Sequence, residues 1–392
     1  MSSSKMTRRT LVSAFGIAAF GRTAPAQLVM PKSPVTISVV DACGDLALTQ
    51  KIFENYRQAN PNLVSRFTFT KAPEPELPGK IKAQQQANRV DIDLVLAGYD
   101  LLSSGSSQNL WMELLPAHQD ELPKLDNVLI EGARRIQAQT RGQGLCISFC
   151  PYGPLLEYMP DRVTKVPTTA DELLSWTKQN PGRFMYARPA NSGPGRSLLT
   201  GLPYILGDSN PLDPAAGWDK TWAYLKAIGE NIEYYPSGTG PVLKALGEGS
   251  VDMIPSSTGW DINPRALGIV PKEARIATLK GFHWVSDAHC WCVPKGVGDD
   301  KLAVLLDLMR FVLTREQQAY VYDEGYSYPG PAVKDVPLSM APESSQKVIR
   351  EFGRPEYDAL IAEVPTELPL EPDKLVLAFR RWDEEVGGKK NR

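Results

Sequence analysis

Histidine is scarce in this chain: only His118, His283 and His289 occur in 392 residues. No H-E-x-x-H zinc motif and no G-x-S-x-G nucleophile elbow is present, so two recognisable hydrolase signatures are missing. A G-x-x-x-x-G-K-S/T loop is also missing, which excludes ATP hydrolysis by that route. An excess of one charge is lacking as well: 43 Lys and Arg stand against 45 Asp and Glu, for a net charge of -2. Nucleic-acid binding needs a basic stripe to displace counterions, so that class is not expected. Lys389 and Lys390 are a short terminal pair and read as a solvated tail. No apolar run beyond the N-terminal segment reaches the ~18 residues of a membrane-spanning helix. Neither a fixed-period repeat nor a low-complexity tract appears.

Cysteine is sparse and odd in number: Cys43, Cys146, Cys150, Cys290 and Cys292. Neither close pair can bridge locally along a strand, where residues two apart sit ~6.5 Å from each other on one face and do not converge. A bridge between the 146/150 stretch and the 290/292 stretch stays open. No paired C-x-x-C is present, and a strand would split His289 and Cys290 between its faces, so no metal site and no cofactor is expected.

What is present begins with an export signal over residues 1–26. Lys5, Arg8 and Arg9 supply positive charge, an apolar stretch runs from Leu11 to Phe20, and Ala24-Pro25-Ala26 fits a small-x-small cleavage site. The run Thr7-Arg8-Arg9-Thr10-Leu11-Val12 resembles a twin-arginine signal; the general secretory route is the alternative. No cysteine lies beside the cleavage site, so a periplasmic protein without a lipid anchor is expected.

The mature chain alternates strand and helix patterns, which predicts an α/β fold with mostly parallel sheets. VTISVV (Val35 to Val40) reads as a strand, and a helix with Leu48, Ile52, Phe53 and Tyr56 on one face follows it to Asn60-Pro61. Strands are expected around Phe67 and Phe69, over DIDLVL (Asp91 to Leu96), over GLCISF (Gly144 to Phe149), and over Phe184 to Ala187. Further strands are expected ending at Tyr234-Tyr235, over GSVDMI (Gly249 to Ile254), and over HCWCVP (His289 to Pro294). A strongly amphipathic helix is expected from Asp299 to Leu313, a Pro-rich loop over 329–345, and a last helix from Asp373 to Glu385.

In open parallel sheets a ligand sits beyond the carboxyl ends of the strands. That rule selects Asp41 and Asp45 after the first strand, then Tyr99 and Asp100 after DIDLVL. It adds Tyr152 after GLCISF, then Asn191, Ser192 and Gly193 after 184–187. After GSVDMI come Ser257, Thr258 and Trp260; just before and at the start of the HCWCVP strand lie Trp284, Asp287 and His289. Each has a plainer role available: the aspartates as helix caps, the 189–195 loop as a turn, the tryptophans as packed core, His289 as a structural histidine. The acidic strand ends and the aromatics suit an organic cation, through carboxylate and cation–π contacts.

Four segments carry a family resemblance: VTISVVDACGD with its helix to ANPN; DIDLVLAG; LGEGSVDMIPSSTGW; and HCWCVPKGVGDDKLAVLLDLMRFVLTREQQAYV. Together they resemble the extracellular solute-binding proteins of ABC importers, in the type II branch that includes polyamine, thiamine and ferric-iron binders. The resemblance implies two lobes, each a mixed sheet flanked by helices, joined by strands crossing near 146–152 and 288–294 and closing on a ligand by hinge motion. It implies one lobe from 27–148, a second over 149–288, a return to the first over 289–326, and a C-terminal segment over 327–392 with no assigned lobe. It further implies a non-enzymatic monomer that delivers a small molecule to a membrane permease; a ligand-presenting sensor partner and a secreted enzyme on the same fold are the alternatives. The aromatic-x-Asp pair of polyamine binders is broken at Asp287 and His289, and the adjacent tyrosines of iron binders are replaced here by Ser256 to Trp260.

Overall fold

The computed structural model describes residues 28–72 and 76–390; the expected export signal lies outside them. No helix among the described residues is long and apolar enough to cross a membrane. Among the described residues twelve strands are formed: β1 (Val35–Asp41), β2 (Val64–Lys71), β3 (Leu94–Gly98), β4 (Leu145–Cys146), β5 (Ser148–Gly153), β6 (Leu155–Tyr158), β7 (Met253–Ser256), β8 (Arg275–Ala277), β9 (Trp284–Asp287), β10 (His289–Cys292), β11 (Gly330–Pro331) and β12 (Thr366–Glu367).

The first sheet has the order β2-β1-β3-β10-β4. β1 pairs in parallel with β2 and β3, while β10 runs antiparallel to β3 and β4. Parallel pairs need crossover connections, and the helices Leu46–Ala59 and Leu77–Gln86 supply them. All five residues of β3 are buried, as befits a central strand covered on both faces. The helix Leu46–Ala59 buries Leu48, Ile52, Phe53 and Tyr56, the face its spacing predicts.

A smaller sheet, β7-β6-β8, is wholly antiparallel and forms a second body. Two expected strands are absent from it. Residues 184–187 touch the sheet only through a single bridge from Phe184 to Met253, and 233–235 form no strand. Phe184, Tyr186 and Tyr235 are buried by packing on one another and on Trp382 instead. Pro236 offers no N–H to a ladder, and its carbonyl instead accepts from the Arg188 backbone.

A third sheet, β11-β5-β9-β12, lies between the two bodies. The chain passes from β4 through β5 to β6 and returns from β9 to β10. These two passages lie side by side: Cys150 is opposite Asp287, and Cys146 is opposite Cys290. All five cysteines are thiols in this structure. The molecule thus has two α/β bodies joined by a connecting sheet.

The C-terminal segment touches the connecting sheet and both lobes. β11 and β12 extend the connecting sheet, and the helix Glu343–Phe352 packs on the helix Thr258–Ala266. The helix Pro372–Glu385 lies against the helix Tyr99–Ser107 of the first lobe, while its Trp382 Nε1 donates to Tyr186 Oη in the second at 3.1 Å.

Candidate functional site

A cavity of about 550 Å³ opens between the two lobes, beside the carboxyl ends of the first-sheet strands. Local caps build its first wall. β1 ends at Asp41, whose carboxylate accepts from the backbone N–H groups of Gly44, Asp45 and Leu46 at 2.9, 3.0 and 3.4 Å. Asp41 therefore caps the helix Leu46–Ala59, and Ala42 and Cys43 take the cavity surface. Asp45 is fully buried and held by His289 Nδ1 at 3.0 Å and Trp291 Nε1 at 2.9 Å. At the end of β3, Tyr99 turns inward and is fully buried, while the next residue, Asp100, faces the cavity.

The second wall comes from the helix Gly193–Ile205. Its N-cap Ser192 accepts from Gly195 N–H at 3.2 Å and shares a 2.8 Å hydrogen bond with Thr239 Oγ1. A Cβ on Gly193 would collide with the Tyr152 hydroxyl, so this approach requires glycine. Tyr152 itself holds φ at 73°, in the left-handed region, a strained backbone at the point where β5 turns into the cleft. Trp260, on the helix Thr258–Ala266, lines the cavity and meets Tyr326 edge-on with ring centroids 5.2 Å apart.

One ion triad spans the cavity. Arg196 reaches from the second lobe to Asp100 on the first at 2.6 Å and to Asp287 at the end of β9 at 2.5 Å. All three side chains are nearly buried. Burial pushes the Asp287 carboxyl up, against the lowering pull of Arg196. Burial alone would lower His289, but its hydrogen bond to Asp45 and the charges of Asp45, Asp287 and Asp41 outweigh burial and raise it. Burial, joined by the charge of Asp45, pushes Asp41 up. Among the described residues no cluster of three or more His, Cys, Asp and Glu is placed to hold a metal ion.

Of the residues selected from the sequence, Asp100, Tyr152, Asn191, Ser192, Gly193, Trp260, Asp287 and His289 line the cavity. The others do not reach its surface. Asp41 and Asp45 are consumed as described above, and Tyr99 points into the lobe. Ser257 is the buried N-cap of the helix Thr258–Ala266, accepting from Trp260 N–H, and Thr258 Oγ1 donates to the Tyr328 carbonyl at 2.7 Å. Trp284 is fully buried beneath the helix Glu356–Glu363, donating to Leu360 O at 3.0 Å. Arg196, Glu76, Ser237, Thr239, Tyr326 and Ser327 also line the cavity and were not selected. Arg196 carried a signal: it is a single cation at the opening of a Gly- and Leu-rich helix, one residue past the loop that was chosen. Tyr326 and Ser327 carried none, because they arrive from a return segment that follows no strand.

The sequence matches the family model of bacterial extracellular solute-binding proteins over residues 51–350. It matches no curated protein. Among solved structures, the chain is similar to the periplasmic binding protein AfuA from Actinobacillus pleuropneumoniae, with fructose-6-phosphate bound: TM-score 0.62, 14% identity, covering 90% of this chain and 98% of that one. It is also similar to a periplasmic thiamin-binding protein, with TM-score 0.64, 13% identity, and coverage of 93% and 100%. A third is the spermidine/putrescine transporter substrate-binding protein PotD from Streptococcus pneumoniae, with TM-score 0.58, 13% identity, and coverage of 88% and 99%. This chain belongs to the bacterial extracellular solute-binding protein family.

Proposed function

We propose, starting from that family membership, that this protein is the periplasmic binding component of an ABC-type importer, and that it captures a small organic cation between its lobes and delivers it to a membrane permease. Export through a twin-arginine signal and action as a monomer belong to the same reading. The observation that carries the choice of ligand is the charge of the cavity lining: Glu76, Asp100 and Asp287 face it, and one guanidinium, Arg196, is shared between Asp100 and Asp287. Two carboxylates sharing one guanidinium favour a second cation beside them.

Two further features support the same charge. The helix starts at its edge are occupied by their own caps Asp41, Ser192 and Ser257, so they offer an anion less than bare N-termini would. Tyr152, Trp260 and Tyr326 supply aromatic faces for cation–π contact.

A thermal-shift panel of spermidine, putrescine, thiamine, amino acids, sugars and fructose-6-phosphate tests this. A true ligand at ~100 times its dissociation constant adds roughly 2.7 kcal/mol. The amines and thiamine are expected to give the largest upward shifts. A shift confined to sugars, sugar phosphates or carboxylates would overturn the cation assignment while leaving the solute-binding role intact.

A further inference from the structure

We propose that Cys146 and Cys290 are joined by a disulfide in the exported protein, stapling the outgoing and returning chain where both leave the first lobe. This does not depend on the nature of the ligand. Three observations carry it. First, Cys146 of β4 and Cys290 of β10 are direct partners across an antiparallel pair. Second, the pairing is of the close type. Ile147 N–H donates to His289 O in the neighbouring pair, and Cys146 N–H turns away to Gln137 Oε1 at 2.8 Å. The Cys146–Cys290 position is therefore the non-hydrogen-bonded one, where Cα atoms lie ~4.5 Å apart, inside the range a disulfide needs. Third, the two side chains act on each other: the neighbouring Cys146, with burial, pushes the Cys290 thiol well up, while the Cys146 thiol donates to the Ser148 carbonyl at 3.3 Å. The other cysteines lack this arrangement. Cys150 faces Asp287, and its thiol meets Ser327 Oγ at 3.7 Å. Cys292 pairs with Val95 on β3.

The compartment supplies the chemistry. Extracytoplasmic proteins meet disulfide-bearing thiol oxidants. One protein thiolate attacks the oxidant's disulfide to form a mixed disulfide, and the second displaces the oxidant's remaining sulfur. The two protein sulfurs lose two electrons and two protons, and the oxidant leaves as a dithiol. Both cysteines are fully buried, but β4 is a two-residue strand at the sheet edge. Local opening of so short an edge exposes the pair without global unfolding.

The test uses the full exported chain, denatured in an alkylating agent without reductant and then mapped by mass spectrometry. The expected result is alkylation at Cys43, Cys150 and Cys292 and one linked peptide joining Cys146 to Cys290. Alkylation of all five cysteines overturns the proposal, and so does a link to Cys150 or Cys292. In parallel, reductant should lower the melting temperature of the wild type by roughly 5 °C or more and leave a Cys146→Ala, Cys290→Ala double variant unmoved. Equal behaviour of the two proteins contradicts the proposal.

Discussion

Two clusters of arginine and aspartate use the same chemistry in different mechanical settings. In the cleft, Arg196 links Asp100 of the first lobe to Asp287 of the connecting sheet. Inside the second lobe, Asp261 accepts from Arg265, Arg354 and the Tyr357 hydroxyl, with bonds from 2.6 to 3.1 Å. Asp261 is fully buried, and its partners come from the C-terminal segment as well as its own helix. The first cluster reaches across an open cavity; the second ties parts packed against one another. The lesson is that an acidic residue past a strand end is a ligand candidate only when it opens on a gap. Asp261 directly follows the cavity-lining Trp260 in the helix Thr258–Ala266 but is fully consumed in tethering the C-terminal helices.

The largest expected effect is therefore on stability. Asp261→Asn strands two arginines in the interior and should cost about 3–5 kcal/mol, read by denaturant unfolding, with ligand affinity unchanged at temperatures where the variant is folded. Asp100→Asn should do the reverse. Arg196 keeps Asp287, so no charge is orphaned, but the contact across the cleft is lost. Small-angle scattering of the unliganded protein should show a larger radius of gyration, and ligand affinity should fall about tenfold, a difference of ~1.4 kcal/mol. A fall in stability matching that of the Asp261 variant would erase the distinction.

A pH effect comes next. His289 is raised in the folded protein, so its contribution to stability is fully present below the unfolded value of about 6.5 and is lost as pH rises through the folded one. The groups facing it are Asp45, Asp41 and Asp287. The melting-temperature gap between wild type and His289→Gln should be wider at pH 6 than at pH 9; the opposite trend would show that the imidazole is held neutral. The smallest effect belongs to an exposed pair of the same types. Arg89 and Asp91 are 68% and 46% exposed, and Arg89→Ala should leave the melting temperature unchanged within error, because solvent screens such pairs.

Much of this was legible from periodicity and strand ends. The helix Leu46–Ala59, the central strand β3 and the helix Asp299–Val312 each bury the face that their spacing marks. The loop 191–193 and the residues Asp100, Tyr152 and Trp260 reach the cavity because strand ends and helix starts point there. What failed did so for local reasons. Tyr99 and Asp100 are adjacent, and only the helix phase decides which one faces the gap. Phe184 to Ala187 looks like a strand because its residues are buried, yet aromatic packing rather than a ladder buries them. Trp284 looked open until the helix Glu356–Glu363 covered it, and the Pro-rich approach to that segment masked the helices after residue 342.

The most direct test is calorimetry of the best amine or thiamine hit against wild type and Asp287→Asn. A cation held in the cleft beside that carboxylate should bind the variant at least tenfold more weakly. Equal affinity for the two proteins would place the ligand elsewhere and contradict the account.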